Sequence, residues 1–463
     1  MARWILMAAL VSGAAVAQVA PMTAADAAAH ARGDSSAPVA TAPSSGALPS
    51  PARVQGAQDQ CPASDADCAR KLREPAPSAP AQSTEWTKQG PSESAAAGLF
   101  GSELVGLGSP ALNAPGGMAG AAAVPSRPIE LSSYFILNGQ WVQQDPNYLY
   151  VGRNNGFSLA DARIEVTGRP SENLWLFLSM DGAVANRSAS DPSQGTRVVA
   201  LKDAYGVYSP GYHLRIQAGQ FKAPQDVEHL LEETEIKFPS RSLVTDGLHS
   251  PAGYETNSLS LDRQIGIAIG TDVITLPFGS IAAQVAVTNG NGANTLFNGT
   301  SIPGVVGRLA IGLFGFVSLG GDAYFMPQAT GTQPDLFRDN WVGAGGDIRI
   351  EWSGLHVMAL MQWRNTQHLT SGAPDEVSFG YSAEAAYRLP GFAHFLEPAV
   401  RYASLNPSDK IPTGQIQSLD AALNLYAPGL GSGRLSIAYV HRMEDTSRTL
   451  QNDGLDLSMQ VRF

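Results

Sequence analysis

The chain has 463 residues, with 30 Lys and Arg against 41 Asp and Glu, so its formal charge is −11. This acidic balance argues against nucleic acid as a partner, because such binding rests on a basic surface that neutralises phosphates. The 48 glycines, the charged fraction of only 15% and the lack of an apolar segment of bilayer-spanning length after the first 20 residues fit neither an ordinary cytosolic enzyme nor a helical membrane protein.

The first 17 residues carry the pattern of an export signal. Arg3 precedes an apolar run over residues 4–16, and Ala15-Val16-Ala17 offers the small residues that signal peptidase accepts before Gln18. We therefore predict a signal peptide over residues 1–17. The alternative is a buried helix of a globular domain, and the composition of the residues that follow argues against it.

Residues 18–127 are dominated by Ala, Pro, Ser and Gly, with little periodicity. Such a segment cannot bury enough apolar area to offset the entropy of ordering it, so we predict a disordered, low-complexity tail in the periplasm. The two cysteines, Cys61 and Cys68, fall in this tail. They are expected to form a local disulfide or to remain two thiols, since their spacing without neighbouring ligands is a weak metal signal.

From residue 128 on, apolar residues recur at every second position. Similar alternation appears over residues 160–167, 344–352 and 379–388. A soluble sandwich would also alternate, but here the polar face mixes Asp, Glu and Arg with small residues, which is typical of a water-filled lumen, while aromatic residues on the other face suit a membrane. The last nine residues place five apolar side chains on one face, at Leu455, Leu457, Met459, Val461 and Phe463.

The connections between these segments alternate long with short. Seven short breaks, each marked by Pro or Gly, separate eight long polar stretches. The long stretches are 144–156, 186–196, 223–258, 289–304, 327–340, 366–376, 404–415 and 443–453. Fifteen connections predict an all-β transmembrane antiparallel barrel of sixteen strands over residues 128–463. In outer-membrane barrels large loops lie outside and tight turns in the periplasm, so both termini are expected in the periplasm.

Sixteen strands leave an aqueous bore, whereas eight close around packed side chains. The stretch 223–258 is the longest connection and is rich in charge, and we expect it to fold inward and narrow the bore. The alternative is a solvated extracellular loop. The candidates for the constriction are Lys222, Glu232, Glu235 and Arg241.

Arginines recur at strand positions that the alternation of polar and apolar residues predicts to face the lumen. Their forked guanidinium groups suit oxyanions, so they fit an anion-guiding ladder. Acidic residues interleave on the same face, and simple cross-strand ion pairs remain an equal alternative. The arginines are Arg163, Arg215, Arg308, Arg349, Arg364, Arg388 and Arg401. Arg263 has the parity of the apolar Ile265, so we place it at a strand end and outside the bore.

Several short phrases between residues 130 and 463 resemble, in the same order, the phosphate-selective porin O and P family. They are Gly219–Pro224 with Glu228, Ser240–Ser242, Arg263–Gly266, Asn289–Gly292, Tyr387–Leu389, Leu396–Tyr402 and the terminal Phe463. The resemblance implies a homotrimeric, sixteen-stranded outer-membrane porin, with anion transport aided by lumen arginines and a lysine cluster. It also implies that Phe463 is part of the assembly signal.

The sequence departs from that family in its lysines. After residue 128 the lysines are Lys202, Lys222, Lys237 and Lys410, so no dense lysine cluster is expected. A general or weakly selective porin fits this composition better than a phosphate-selective one.

We therefore expect an outer-membrane channel, embedded in the lipid bilayer, for passive diffusion of small hydrophilic solutes, with anions such as phosphate as candidates. One alternative is a structural or adhesive barrel whose tail tethers it to a periplasmic partner. Another is a barrel hydrolase, for which the eight histidines show no recurrent spacing with a nucleophile. We expect no enzymatic activity, and no cofactor or metal, because the sequence contains no phosphate-cradling or metal-binding motif.

Overall fold

The computed structural model describes residues 129–463, apart from 154, 188–194, 251, 296–297, 333–334, 392–393, 428–432 and 446–448. The predicted signal peptide, the predicted tail and both Cys61 and Cys68 lie outside the described residues.

The described residues form seventeen strands in one antiparallel sheet. The strands are β1 (Ile129–Val142), β2 (Gly156–Ser171), β3 (Leu174–Arg187), β4 (Gly195–Gly211), β5 (Leu214–Lys222), β6 (Arg263–Thr271), β7 (Ile274–Leu276), β8 (Gly279–Thr288), β9 (Gly304–Leu313), β10 (Val317–Thr332), β11 (Asp335–Trp352), β12 (Leu355–His368), β13 (Glu376–Tyr387), β14 (Leu396–Asn406), β15 (Ile416–Tyr426), β16 (Arg434–Glu444) and β17 (Gly454–Arg462). Because β6 and β7 both pair with β8, they make one interrupted strand. β1 pairs with β17 and closes the sheet, so the predicted sixteen-stranded barrel is confirmed.

Alternation along the strands separates a polar inside from an apolar outside. In β15, Asp420 and Asn424 are buried within the barrel, while Leu419 and Leu423 are exposed on its outer surface. An apolar outer surface around a polar interior is the arrangement that a bilayer requires of a spanning barrel.

One of the predicted long connections is wrong. The stretch 327–340 is not a loop, because β10 and β11 pair without interruption from Val317 opposite Ile350 to Thr332 opposite Asp335. Its two prolines, single glycine and polar residues give it the composition of a loop. Cross-strand pairs such as Met326 with Trp341 nevertheless extend the two strands here. The other seven long connections lie between strands, close to their predicted positions.

The register between β3 and β4 contains an irregularity at Lys202. Ser179 lies opposite Asp203 and Met180 lies opposite Leu201, so Lys202 has no pairing partner on β3. An extra residue of this kind is a bulge, which re-aims the side chains beside it. Asp203 shares the inward face with Tyr205 and Val207, and the bulge lets the neighbouring Lys202 reach the interior as well.

Helical structure in the described residues includes two elements of four residues each, α1 (Val227–Leu230) and α2 (Leu243–Asp246), both within the connection after β5. Among the described residues, no helix combines the length and the apolar character needed to cross a membrane.

Candidate functional site

The connection from residue 223 to residue 262, here called the inserted loop, lies inside the barrel. Its main-chain carbonyls accept hydrogen bonds from inward side chains of six strands of the wall, β1, β9, β12, β14, β15 and β17. The donors and their acceptor residues are Asn138 to Pro239, Arg308 to Gln225, Arg364 to Ser258, Arg401 to Ser240, Asn424 to Lys237 and Gln460 to Thr234. The inward folding that its length predicted is therefore present.

β5 delivers the chain into the barrel through a close backbone approach. Gly219 has a φ of 131°, and a Cβ atom there would lie 2.1 Å from the carbonyl oxygen of Ala204 on β4. Only glycine fits such a position without moving the backbone. β5 then ends at Lys222, whose Nζ donates to the carbonyls of Leu230 (3.4 Å) and Leu231 (2.5 Å).

Gln225 joins the two ends of the inserted loop. Its Nε2 donates to the carbonyl of Leu259 (3.0 Å), and its Oε1 accepts from the amide of Leu261 (2.7 Å). The next residue, Asp226, caps α1 by accepting from the amide of His229 (2.8 Å). The loop therefore leaves and returns to the wall at one place, between β5 and β6.

Glu228 of α1 is fully buried and connects this helix to the start of α2. Its carboxylate accepts from the Ser242 amide (2.8 Å), the Ser242 hydroxyl (2.5 Å) and the Thr245 hydroxyl (2.7 Å). Arg401 of β14 lies 3.5 Å away. A buried carboxylate is tolerated when its lone pairs are satisfied in this way. Two of the phrases that carry the family resemblance, Glu228 and Ser240–Ser242, thus meet in space.

Phe238 anchors the loop to the wall. It packs against four alanines that lie opposite one another in register across β13 to β16. These are Ala386, Ala399, Ala422 and Ala438. Small side chains in one row leave a depression that an aromatic ring fills, so this side of the lumen is occupied by the loop.

The remaining space includes a charged cavity, here called the basic cavity, of about 280 Å³. The wall contributes Lys202, Lys222 and Arg263, and the loop contributes Arg241 with the carboxylates of Glu233, Asp246 and Asp262. His229, Thr245, Ser258 and Ser260 complete the lining. Among these lining residues, four basic side chains face three carboxylates, which is a formal excess of one positive charge.

The carboxylates of the basic cavity differ in their titration. Burial alone would raise the pKa of Glu233, but Arg241 at 2.9 Å, with Lys222 and Arg163, holds it well below its ordinary value. The enclosed position of Asp246 inside the barrel raises its pKa to about 6, although its side chain is exposed to the lumen and Arg241 acts in the opposite direction. Glu233 is therefore charged at neutral pH, whereas Asp246 gains a proton under mildly acidic conditions.

His229 and Ser260 form the contact that most resembles a nucleophile and its base. The Ser260 hydroxyl lies 3.0 Å from His229 Nδ1. Burial, and next the charge of Lys222, lowers the pKa of His229 to about 3. A histidine with so low a pKa is too weak a base to deprotonate a serine hydroxyl effectively, so the pair does not favour a hydrolase.

Most of the predicted lumen arginines are held by the wall or the loop. Arg163 pairs with Asp161 (2.9 Å), Arg215 bonds Gln217 (3.3 Å), and Arg349 bonds Glu351 (2.9 Å). Arg308, Arg364 and Arg401 donate to loop carbonyls, as described above. Lys222 and Arg241 do meet in the basic cavity.

Three predicted residues lie apart from the basic cavity, toward the end of the barrel where the C-terminal strand ends. Arg388 is exposed in the turn after β13 and stacks over Tyr426 at 4.0 Å. Glu235 lines a separate cavity together with Arg388 and Arg462. Glu232 pairs with Arg462 at 3.2 Å.

Phe463 follows the last strand and continues its pairing. Its amide donates to the carbonyl of Ser133, and its carbonyl accepts from the amide of Ser133, each at 2.9 Å. The side chain is 78% exposed, on the outer surface of the barrel. The predicted role in assembly stays a prediction.

The expectation that Arg263 lies away from the bore is wrong. Arg263 is the first residue of β6 and lines the basic cavity, where it forms a two-point ion pair with Asp203 at 3.0 and 3.1 Å. Parity counted from Ile265 fails because the chain enters the strand from the loop at this residue. Its partner Asp203 lies on the inward face of β4 with Tyr205 and Val207, directly beside the bulge at Lys202.

A solved porin shares this fold, and two other solved outer-membrane channels are similar to a lesser degree. An anion-selective porin from Comamonas acidovorans matches with a TM-score of 0.51 and 12% identity, over 72% of this chain and 99% of that one. The outer membrane channel DcaP of Acinetobacter baumannii gives 0.48 and 12%, over 72% and 97%. Salmonella typhi OmpF in complex with daunomycin gives 0.49 and 13%, over 72% and 97%. At 12% identity, the likeness to the Comamonas acidovorans porin shows a shared fold. No family model and no curated protein match the sequence.

Proposed function

We propose that the chain forms a water-filled channel in a bacterial outer membrane, through which small hydrophilic solutes diffuse passively. The closed sixteen-stranded barrel with a polar interior supports a channel, and the inserted loop supplies a constriction. The Comamonas acidovorans structure with the same fold is an anion-selective porin. The homotrimer implied by the family resemblance and the periplasmic tail expected from the composition stay predictions.

The observation that carries the proposal is the basic cavity beside the inserted loop. Lys202, Lys222, Arg241 and Arg263 outnumber Glu233, Asp246 and Asp262 there by one charge. In a narrow passage with low-dielectric walls, even a small excess of fixed charge enriches the opposite ion. We therefore propose a weak preference for anions. Phosphate is one candidate solute, without the dense lysine cluster that strong phosphate selectivity would lead us to expect.

The proposal is tested with the full, folded protein in planar lipid bilayers. Insertion should produce discrete ion currents. In a KCl gradient, the sign of the reversal potential should show that chloride is more permeant than potassium. Liposomes that contain the protein should also swell in small sugars and phosphate salts. A folded barrel that inserts but passes no ion current would remove the channel proposal, and a reversal potential on the potassium side would remove the anion preference alone.

A further inference from the structure

We infer that Arg401 is a positioning residue that holds the inserted loop in place and thereby sets the geometry of the constriction, instead of guiding solutes itself. The inference rests on the channel proposed above. Arg401 lies on β14 with its side chain only 3% exposed. A guanidinium group so covered has little surface for a passing solute.

The donors of Arg401 reach both the wall and the loop. Nε and Nη2 lie 2.8 Å from Asp420, the residue directly opposite on β15. Nη1 donates to the carbonyl of Ser240 (2.8 Å) and lies 3.5 Å from Glu228. Asp420 therefore fixes the orientation of the guanidinium, and Nη1 binds the loop.

The same guanidinium also covers the anchor ring of the loop. Its central carbon lies 4.3 Å from the ring centroid of Phe238, which packs on the row of wall alanines. A cation over an aromatic face adds attraction to the apolar contact. Arg401 thus contacts Glu228 of α1, and also Phe238 and Ser240 of the segment that leads into α2.

These contacts place the charges of the constriction. Ser240 precedes Arg241, whose guanidinium donates to the carbonyls of Glu228 and Leu231 (2.8 Å) and to Glu233 (2.9 Å). If the segment around Ser240 moves away from β14, Arg241 and Glu233 move with it. The planar fork of arginine makes these bonds together, whereas the single ammonium of lysine has no such geometry.

The experiment compares Arg401→Gln and Arg401→Lys with Arg349→Gln, which removes the same charge from a wall arginine that bonds Glu351. Each purified full-length variant is first shown to be a folded barrel by its heat-dependent migration in detergent gels. Amide hydrogen exchange is then measured for peptides covering residues 236–248 and, as an internal reference, for peptides from β15. Single-channel conductance and reversal potential are recorded in planar bilayers.

Both Arg401 variants should exchange in the loop about tenfold faster or more, with β15 unchanged, because a buried network has lost its geometry. They should also change conductance and selectivity more than Arg349→Gln does. Wild-type exchange in Arg401→Gln would overturn the inference, and wild-type exchange in Arg401→Lys would show that any cation suffices. Since exchange needs no ion current, a protein that did not conduct would remove the proposed channel while the role of Arg401 was still decided.

Discussion

Arg308 of β9 reaches across β10 to Asp347 of β11. Its Nη1 and Nη2 lie 2.6 and 2.9 Å from the two carboxylate oxygens. Gly320 makes this possible, because a Cβ atom there would lie 2.2 Å from Arg308 Nη2 and 2.5 Å from Asp347. Asp322 lies 3.9 Å from the same guanidinium. Arg308, which the alternation of the strand places among the candidate solute-guiding arginines, is therefore a buried partner of two carboxylates.

Arg308→Met should destabilise the barrel strongly. Removing one partner leaves Asp347 buried without its counter-charge, which costs about 3–5 kcal/mol in comparable sites. Arg308→Met with Asp347→Leu should recover a large part of the loss, because an apolar pair replaces the ion pair. The temperature at which the folded band is lost in detergent gels measures both. Equal loss in the single and double variants would show that the ion pair is not the source of the effect.

Lys222→Glu should shift the channel toward cations. Lys222 lines the basic cavity with Nζ on two loop carbonyls, so the reversal replaces the small positive excess by a negative one. A change on the order of 1 kcal/mol corresponds to about a fivefold change in the ratio of chloride to potassium permeability. Reversal potentials in a KCl gradient measure it.

The matched control for this change is Lys410→Glu. Lys410 is exposed and pairs with Asp409 in the connection between β14 and β15. The net charge changes equally, but the constriction does not. If both variants shift the reversal potential alike, the effect comes from the charge of the whole protein and the basic cavity does not set selectivity.

Phe238→Ala should loosen the inserted loop without opening the barrel. Truncating a buried phenylalanine costs about 3–5 kcal/mol of local packing, here between the loop and the alanine row. We expect a larger and noisier single-channel conductance, with the barrel's heat resistance nearly unchanged. Phe314→Ala, in the exposed turn after β9, is the control. Conductance equal to wild type in Phe238→Ala would mean that the ring does not hold the loop.

The sequence alone predicts the strands, most connections and the inward loop, because each depends on local periodicity and composition. Partners across the barrel depend instead on register and closure. Arg401 and Ser240 are 161 residues apart, and the alanine row exists only once four strands have paired. The periodicity of a single strand carries no information about either contact.

The same limit explains why Lys202 was missed as a cavity residue and Arg263 misplaced. Both lie where the regular pattern stops, Lys202 at a bulge and Arg263 at the first residue of a strand. Parity holds within a regular strand and fails at its irregularities. A bulge or a strand end can aim a side chain in a direction that a regular strand does not allow.

The anion preference should increase as the pH falls, through Asp246. Its enclosed position inside the barrel raises the pKa of this carboxyl to about 6, so it is charged at pH 8 and mostly protonated at pH 5. Losing this negative charge enlarges the positive excess of the basic cavity. Because the pKa of Asp246 is higher in the docked loop than in the unfolded chain, protonation of Asp246 stabilises the folded state at low pH. This stabilisation is lost as the pH rises through about 6.

Asp246→Asn tests this assignment. At pH 8 the variant should already show the stronger chloride preference that the wild type reaches at pH 5, and its reversal potential should change less between the two pH values. Asp409→Asn, at an exposed loop position where backbone hydrogen bonding lowers the pKa, is the control and should keep the wild-type dependence. A full wild-type pH response in Asp246→Asn would assign the titration to another ionisable group near the constriction, Lys222 of the basic cavity among them. The first to test would be Glu232, whose pKa burial and then Glu165 raise to about 7.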